Sequence, residues 1–314
     1  MFKNSIKLRC CKFLGGALIL GLLVACGGNT DRQQSVNVKG GETKTGKTAE
    51  LVKGVYVGGN DLPSGKYVLS WDAGSESGII SVVKRSEGES EGNDRDLYEF
   101  VEQSGDCYAY VSLDDGEELN IPFDAELTIV DYMAESVKSS EILYTGLYEC
   151  GKDLPEGRYI VSTLKSNKDE YNGIIKFDDV KDETKYIYDA IESNDNKTFY
   201  ISMKTGRQLY LPFPFIVEQV LNEVQKEDGC YQLYAGQYWI GDDIPAGSYI
   251  LTPNEKNDDS GIIKVNNPSD EKSNIVYEFM DSKDSNSIRF TVNDGDIINI
   301  PFNCKLEDSK VEFK

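Results

Sequence analysis

Histidine is absent from all 314 residues. That removes His-dependent triads, imidazole general bases and His metal sites at one stroke. Cysteine is sparse at seven, with no Cys-x-x-Cys spacing. Cys/His zinc is therefore not expected, and a thiol nucleophile would lack its usual His partner. Basic residues are few: 33 against 54 acids, for a formal net charge of −21. Such a chain disfavours nucleic acid and anionic lipid surfaces as direct partners. It is compatible with cations, basic proteins and neutral glycans. The one long apolar run, Phe13 to Val24, is shorter than the roughly 20 residues a spanning helix needs.

What is present begins with an address. Lys3, Lys7, Arg9 and Lys12 precede that apolar run, with no acid among residues 1–25. A basic head and a short apolar stretch form a secretory signal. It ends in Leu23-Val24-Ala25-Cys26, which resembles a bacterial lipobox. In the lipoprotein family that resemblance implies cleavage before Cys26, diacylglycerol on Cys26, and a place on the extracytoplasmic face of the cell membrane. Cys10 and Cys11 would leave with the signal. Residues 26–48 are rich in Gly, Thr, Lys, Gln and Asn and read as a flexible tether.

The remainder is one unit written three times. Tyr56 to Tyr67, Tyr148 to Tyr159 and Tyr238 to Tyr249 share the pattern Tyr-x-x-x-x-Asp-(Leu/Ile)-Pro-x-Gly-x-Tyr, about 90 residues apart. Proline fixes φ and has no N–H to donate, glycine can take a positive φ, and aspartate bonds to nearby backbone N–H groups. Asp61-Pro63-Gly65, Asp153-Pro155-Gly157 and Asp243-Pro245-Gly247 are thus expected as turns, with the aspartates as caps. Further downstream, Gly-Ile-Ile recurs at Gly78, Gly173 and Gly261, and Pro-Phe at Pro122, Pro212 and Pro301. The distance from Tyr98 to Pro122 recurs unchanged from Tyr188 to Pro212 and from Tyr277 to Pro301. A span without insertions implies strands of fixed register. Inside it, Asp115-Gly116, Thr205-Gly206 and Asp294-Gly295 read as hairpin turns. Ala109, Val111, Leu113, Leu119 and Ile121 alternate, as do their counterparts, which marks one buried face of an antiparallel sheet.

The expected fold is all-β: three tandem small antiparallel β-sandwich or barrel domains over 49–138, 139–227 and 228–314. Domains of this size can fold singly, so beads on a string with modest interfaces are expected. Two joins have helical spacing, Ile216 to Val224 and, less well, Leu127 to Val137; each is either a short helix or a last strand entering a linker. Length varies only around 72–77, 164–172 and 254–260, and around 84–96, 178–185 and 266–275. Variable loops on a rigid scaffold are where ligand contacts usually sit.

Gly241-Asp242-Asp243-Ile244-Pro245-Ala246-Gly247-Ser248-Tyr249, followed by Val292-Asn293-Asp294-Gly295-Asp296-Ile297-Ile298, resembles a repeat of surface lipoproteins in low-GC Gram-positive bacteria. The third copy matches best; Ser64 and Glu156 replace alanine, and Thr205 replaces the turn aspartate. The resemblance implies an extracytoplasmic β domain and brings no activity with it.

Few residues present themselves for chemistry. Glu99, Asp189 and Glu278, then Glu102, Glu192 and Asp281, recur three residues apart, which on a strand places each pair on opposite faces. That reads as a solvated face rather than an acid/base pair or a calcium site, so no catalytic residue, metal or cofactor is expected. Trp71 and Trp239 are unrepeated aromatics, hence candidates for ligand contact, with core filling as the alternative. Cys107, Cys150, Cys230 and Cys304 remain beside the lipid cysteine, and an exported chain can oxidise them. Cys230 and Cys304, flanking the third copy, are the suggested disulfide. The sequence thus points to a non-catalytic, lipid-anchored surface protein that meets an extracellular protein or glycan through its loops, or else serves as a stalk or envelope-assembly spacer, with a carboxylate-dependent hydrolase as the third and least supported reading.

Overall fold

The computed structural model describes residues 47–309 apart from 73, 75, 85–96, 103–107, 131–140, 165–171, 179–185, 193–196, 221–223, 255–259, 268–273 and 282–286. Every regular element among them is a strand.

The first copy supplies β1 (Thr48–Leu51), β2 (Gly54–Val57), β3 (Gly65–Ser70), β4 (Ser77–Lys84), β5 (Leu97–Glu102), β6 (Tyr108–Leu113), β7 (Glu117–Ile121) and β8 (Ala125–Ile129). They divide into two antiparallel sheets, ordered β1-β8-β3-β6 and β2-β7-β4-β5. Eight strands shared this way between two facing sheets make a jelly-roll sandwich. The second copy repeats it with β9 (Glu141–Leu143), β10 (Gly146–Glu149), β11 (Gly157–Thr163), β12 (Asn172–Asp178), β13 (Tyr186–Glu192), β14 (Thr198–Met203), β15 (Gln208–Leu211) and β16 (Phe215–Val220). In the third, a two-residue strand β17 (Lys226–Glu227) precedes β18 (Cys230–Leu233), β19 (Ala235–Trp239), β20 (Gly247–Pro253), β21 (Ser260–Asn266), β22 (Asn274–Asp281), β23 (Ile288–Val292), β24 (Ile297–Ile300) and β25 (Cys304–Asp308). No sheet closes on itself, so the sandwich reading holds and the barrel does not.

The expected alternation is there. Ala109, Val111, Leu113, Leu119 and Ile121 are all buried in the first core, and Phe199, Ile201, Met203, Leu209 and Leu211 in the second. The pairing is not the expected one. β6 lies against β3, and β7 between β2 and β4, so the two strands belong to opposite sheets. The Asp-Gly turn is an arch over the core and not a hairpin. Both arrangements bury the same alternate side chains, so periodicity cannot separate them. Neither join is helical among the described residues: Ile216, Val217 and Val220 lie on β16 and Leu127 on β8, while Val130 and Val224 follow outside the strands.

Two repeated motifs meet directly. A Cβ placed on Gly78, Gly173 or Gly261 would come within 2.3, 2.3 or 2.4 Å of the ring of Pro122, Pro212 or Pro301. Glycine in Gly-Ile-Ile is therefore the space that the Pro-Phe proline occupies.

The three sandwiches are not beads on a string. All fall within a single compact unit, Gln34–Lys314. The outer strand β14 of the second copy pairs in parallel with β19 of the third, Phe199 opposite Ala235 through Ile201 opposite Gln237. The result is one eight-stranded sheet, β22-β21-β24-β19-β14-β11-β16-β9. The first junction has the same geometry in reduced form, a parallel bridge between Ala109 and Thr145 with the Tyr110 N–H donating to the Thr145 carbonyl at 2.7 Å.

Candidate functional site: the repeated turns and the junctions between copies

The turn motif closes on its own backbone. A side-chain oxygen of Asp61, Asp153 and Asp243 accepts the N–H of Val57, Glu149 and Trp239, at 2.9, 2.7 and 2.7 Å. The aspartate N–H donates back to the same residue's carbonyl at 2.8, 2.7 and 2.8 Å. All three aspartates are buried. In every copy the earlier glycine is left-handed, Gly59, Gly151 and Gly241 at φ 77, 86 and 95°, whereas among the motif glycines after proline only Gly157 holds a positive φ, 157°. Gly65 and Gly247 serve another purpose. The tyrosine two residues on folds back over them, and its hydroxyl donates to the proline carbonyl: Tyr67 to Pro63, Tyr159 to Pro155 and Tyr249 to Pro245, the last two at 2.6 Å. The leading tyrosines do likewise, Tyr148 to the Tyr144 carbonyl at 2.9 Å and Tyr238 to that of Tyr234 at 3.0 Å. Burial pushes the phenols of Tyr67 and Tyr249 up to about 12. It raises Tyr159, Tyr200 and Tyr238 further.

The arch lies beside this turn. Gly58, Cys150 and Ile240 donate to the carbonyls of Glu117, Arg207 and Asp296, each at 2.8 Å. Glu117 and Asp296 cap the arch by accepting the N–H of Asp114 and Asn293, at 2.7 and 2.8 Å. In the second copy this position is Arg207, which pairs instead with Asp178.

Both junctions are built on a tyrosine stack. Tyr110 of the first copy lies on Tyr148 of the second, centroids 4.3 Å apart at 13°. Tyr200 lies on Tyr238, 4.4 Å apart at 2°. Tyr108 adds a second stack on Tyr144 at 4.9 Å. Close approach is set by glycine. A Cβ on Gly146 would come 2.6 Å from the Tyr110 carbonyl oxygen, and one on Gly236 only 1.9 Å from that of Tyr200.

Charge decorates the second junction most heavily. Asp243 accepts from Arg158 Nε at 2.7 Å and from the Tyr200 hydroxyl at 2.9 Å, besides its own Trp239 N–H. Arg158 also donates to the Asp242 carbonyl at 2.6 Å, and Lys204 pairs with the Asp242 carboxylate. The ammonium of Lys204 sits 4.2 Å from the Trp239 ring centroid, and the Arg207 guanidinium 5.6 Å from it. The first junction has Lys152 paired with Asp114.

The residues singled out from sequence fall as follows. Trp239 is 9 % exposed within this junction, and Trp71 is 7 % exposed against Phe123, centroids 5.1 Å apart. Neither ring presents a surface to a ligand. Glu99, Asp189 and Glu278 lie on β5, β13 and β22, each at the end of its sheet and opposite a core isoleucine, Ile80, Ile175 and Ile263. Glu278 is exposed. Among the described residues no group of three or more His, Cys, Asp or Glu could hold a metal ion. The suggested disulfide does not form: Cys230 and Cys304 are free and buried. On adjacent strands, Cys230 faces Glu307 whereas Cys304 faces Leu233, three rungs away. At about 3.4 Å per residue that separation exceeds the roughly 7 Å a disulfide can span. Cys150 is also buried, and burial pushes its thiol up to about 12. Cys26, Cys107, the tether up to residue 46 and much of the variable loops lie outside the described residues, and Thr48, expected as the tether's end, already belongs to β1. The residues that sequence reasoning missed are Arg158, Tyr200, Lys204 and Arg207; Arg158, Lys204 and Arg207 differ from their counterparts in the other copies, whereas Tyr200 is shared with Tyr110 and replaced by Arg289 only in the third.

No protein-family model matches the chain, and no curated protein does. A solved structure of Sulfolobus turreted icosahedral virus is 11 % identical, with a TM-score of 0.24, over 82 % of this chain and 84 % of that one. A second, described as a triple jelly roll and turret assembly in an archaeal virus, is also 11 % identical with a TM-score of 0.24, over 84 % and 83 %. Neither superposition reaches a shared overall arrangement.

Proposed function

We propose that this is a lipid-anchored, non-catalytic protein of the extracytoplasmic cell surface, whose β-sandwiches present variable loops to an extracellular protein or glycan. One observation carries the non-catalytic part. The three repeated aspartates, the best-placed carboxylates in the sequence, are all engaged in capping their own backbone. The signal and lipobox sequence supports the anchor. A second reading, a spacer that holds a surface away from the membrane, is favoured by the sheet that runs from the second copy into the third. Cys26→Ser should move the protein from the membrane fraction to the soluble fraction; continued membrane association would remove the anchor from the proposal. A glycan and protein array probed with the 49–314 fragment distinguishes the two readings. Binding that is lost when one copy's loops replace another's favours the display role, and silence across the array favours the spacer.

A further inference from the structure

The two junctions use the same pair of positions with the charges exchanged. In the first, the outer edge of the first copy contributes Asp114 and the turn of the second contributes Lys152. In the second, the outer edge contributes Lys204 and the turn contributes Asp242. Asp114 and Lys204 both lie eight residues before the Pro-Phe proline, and Lys152 and Asp242 both lie three before the turn proline. The corresponding positions that take part in neither junction, Asn60 and Asn293, are uncharged and exposed. At the last outer edge, Arg289 stands where the other copies have the stacking tyrosines, opposite Ile250 as Tyr110 is opposite Val68 and Tyr200 opposite Ile160.

We infer that this exchange is a sorting device: it directs each outer edge to its own turn and away from the wrong one. The tyrosine stack, the glycine and the parallel edge contact recur at both junctions, the edge contact shorter at the first, so they give an edge little to tell one turn from the other. Similar copies in one chain invite docking in the wrong order, the failure characteristic of repeat proteins. If the first copy's edge met the third copy's turn, Asp114 would face Asp242. If the second copy's edge met a second-copy turn of another chain, Lys204 would face Lys152. Each correct contact is attractive and each of these errors is repulsive, which is discrimination by an introduced clash. The pairs are partly exposed, 28 and 47 % for Lys152 and Asp114 and 41 and 54 % for Lys204 and Asp242. Exposed pairs add little to stability. Their value here is in rejecting wrong partners.

The test uses the full chain. Asp114→Lys with Lys152→Asp keeps an opposite-charge pair at the first junction but gives both junctions the same polarity. The fourfold variant that also carries Lys204→Asp and Asp242→Lys makes the polarities opposite again. Each is unfolded in urea, refolded at low salt and resolved by size-exclusion chromatography with light scattering. The double variant should show a loss of monomeric yield relative to wild type, relieved at high salt where the charges are screened. The fourfold variant should recover it. Thermal midpoints taken on the monomer peaks show whether the cognate contacts survive. Equal yields for wild type and the double variant at low salt would overturn the inference. So would a yield that stays low in the fourfold variant while its monomer melts like wild type.

Discussion

Asp243 caps the Trp239 N–H, receives Arg158 and takes the Tyr200 hydroxyl, all on one buried carboxylate. Asp61, at the same place in the first copy, caps the Val57 N–H. Asp61→Ala strands a backbone donor and should cost about 1–3 kcal/mol. Asp243→Ala also breaks a buried ion pair and should cost about 3–5 kcal/mol. Asp243→Asn keeps one acceptor, which can still cap the Trp239 N–H, but turns an NH2 donor towards Tyr200 and Arg158 and gives up the charge, so it should lose less than alanine and more than nothing. Urea denaturation followed by tryptophan fluorescence reads both sites, since Trp71 lies in the first core and Trp239 at the second junction. Equal losses for the two alanine variants would mean that the bridge from Arg158 contributes nothing. At this scale the sequence was legible wherever partners are close along the chain. A cap four residues away follows from Asp-x-Pro-x-Gly. The bond from Arg158 to Asp243 spans 85 residues and has no local trace. Likewise the positive φ expected of the motif glycine is found at Gly157 but not at Gly65 or Gly247, and in every copy Gly59, Gly151 or Gly241 holds one instead or as well, because turn composition names the residues of a turn more reliably than their conformations.

Among elements, β14 differs from an ordinary half-buried strand. From Phe199 to Met203 it is buried on both sides, because its outer face meets the next copy. Its counterpart β23, at the edge of its sheet with no other described strand beyond it, alternates between exposed and buried. The contact at β14 depends on Gly236. Gly236→Ala puts a Cβ against the Tyr200 carbonyl, whereas a Cβ on Gly54 meets nothing closer than 4.0 Å. Both glycines hold positive φ, 144 and 157°, so the backbone cost is shared and the difference isolates the clash. Gly236→Ala should expose Trp239 to a collisional quencher while leaving Trp71 protected. Gly54→Ala should leave both protected. Protection of Trp239 in the Gly236 variant would mean that the junction gives way elsewhere. Strand existence and spacing were readable from alternation and turn residues. Partnership was not. Ala109 to Ile121 show the same period whether β6 and β7 lie side by side or face each other, and only the assembled sandwich decides.

For the molecule as a whole, the buried tyrosines set an alkaline limit. An unfolded phenol titrates near 10, whereas Tyr67 and Tyr249 are held up to about 12 by burial. The folded state keeps its protons longer, so stability from these groups is full below about pH 10 and is lost as pH rises towards 12. Tyrosinate absorbance and circular dichroism should therefore change together over that range. If the tyrosines all titrate near pH 10 with no change in the dichroism, the hydroxyls are not held as described. The largest share of the architecture that composition could not convey is the sharing of cores. Val68 and Tyr110 belong by chain to the first copy but pack in the second core, and Tyr200 packs in the third. The frontier of packing is thus displaced from the frontier of the gene-level duplication. Shortening the chain by one copy at the seam in the sequence would therefore wound whichever neighbour remained, by removing part of its interior or by baring a ring meant for the next module.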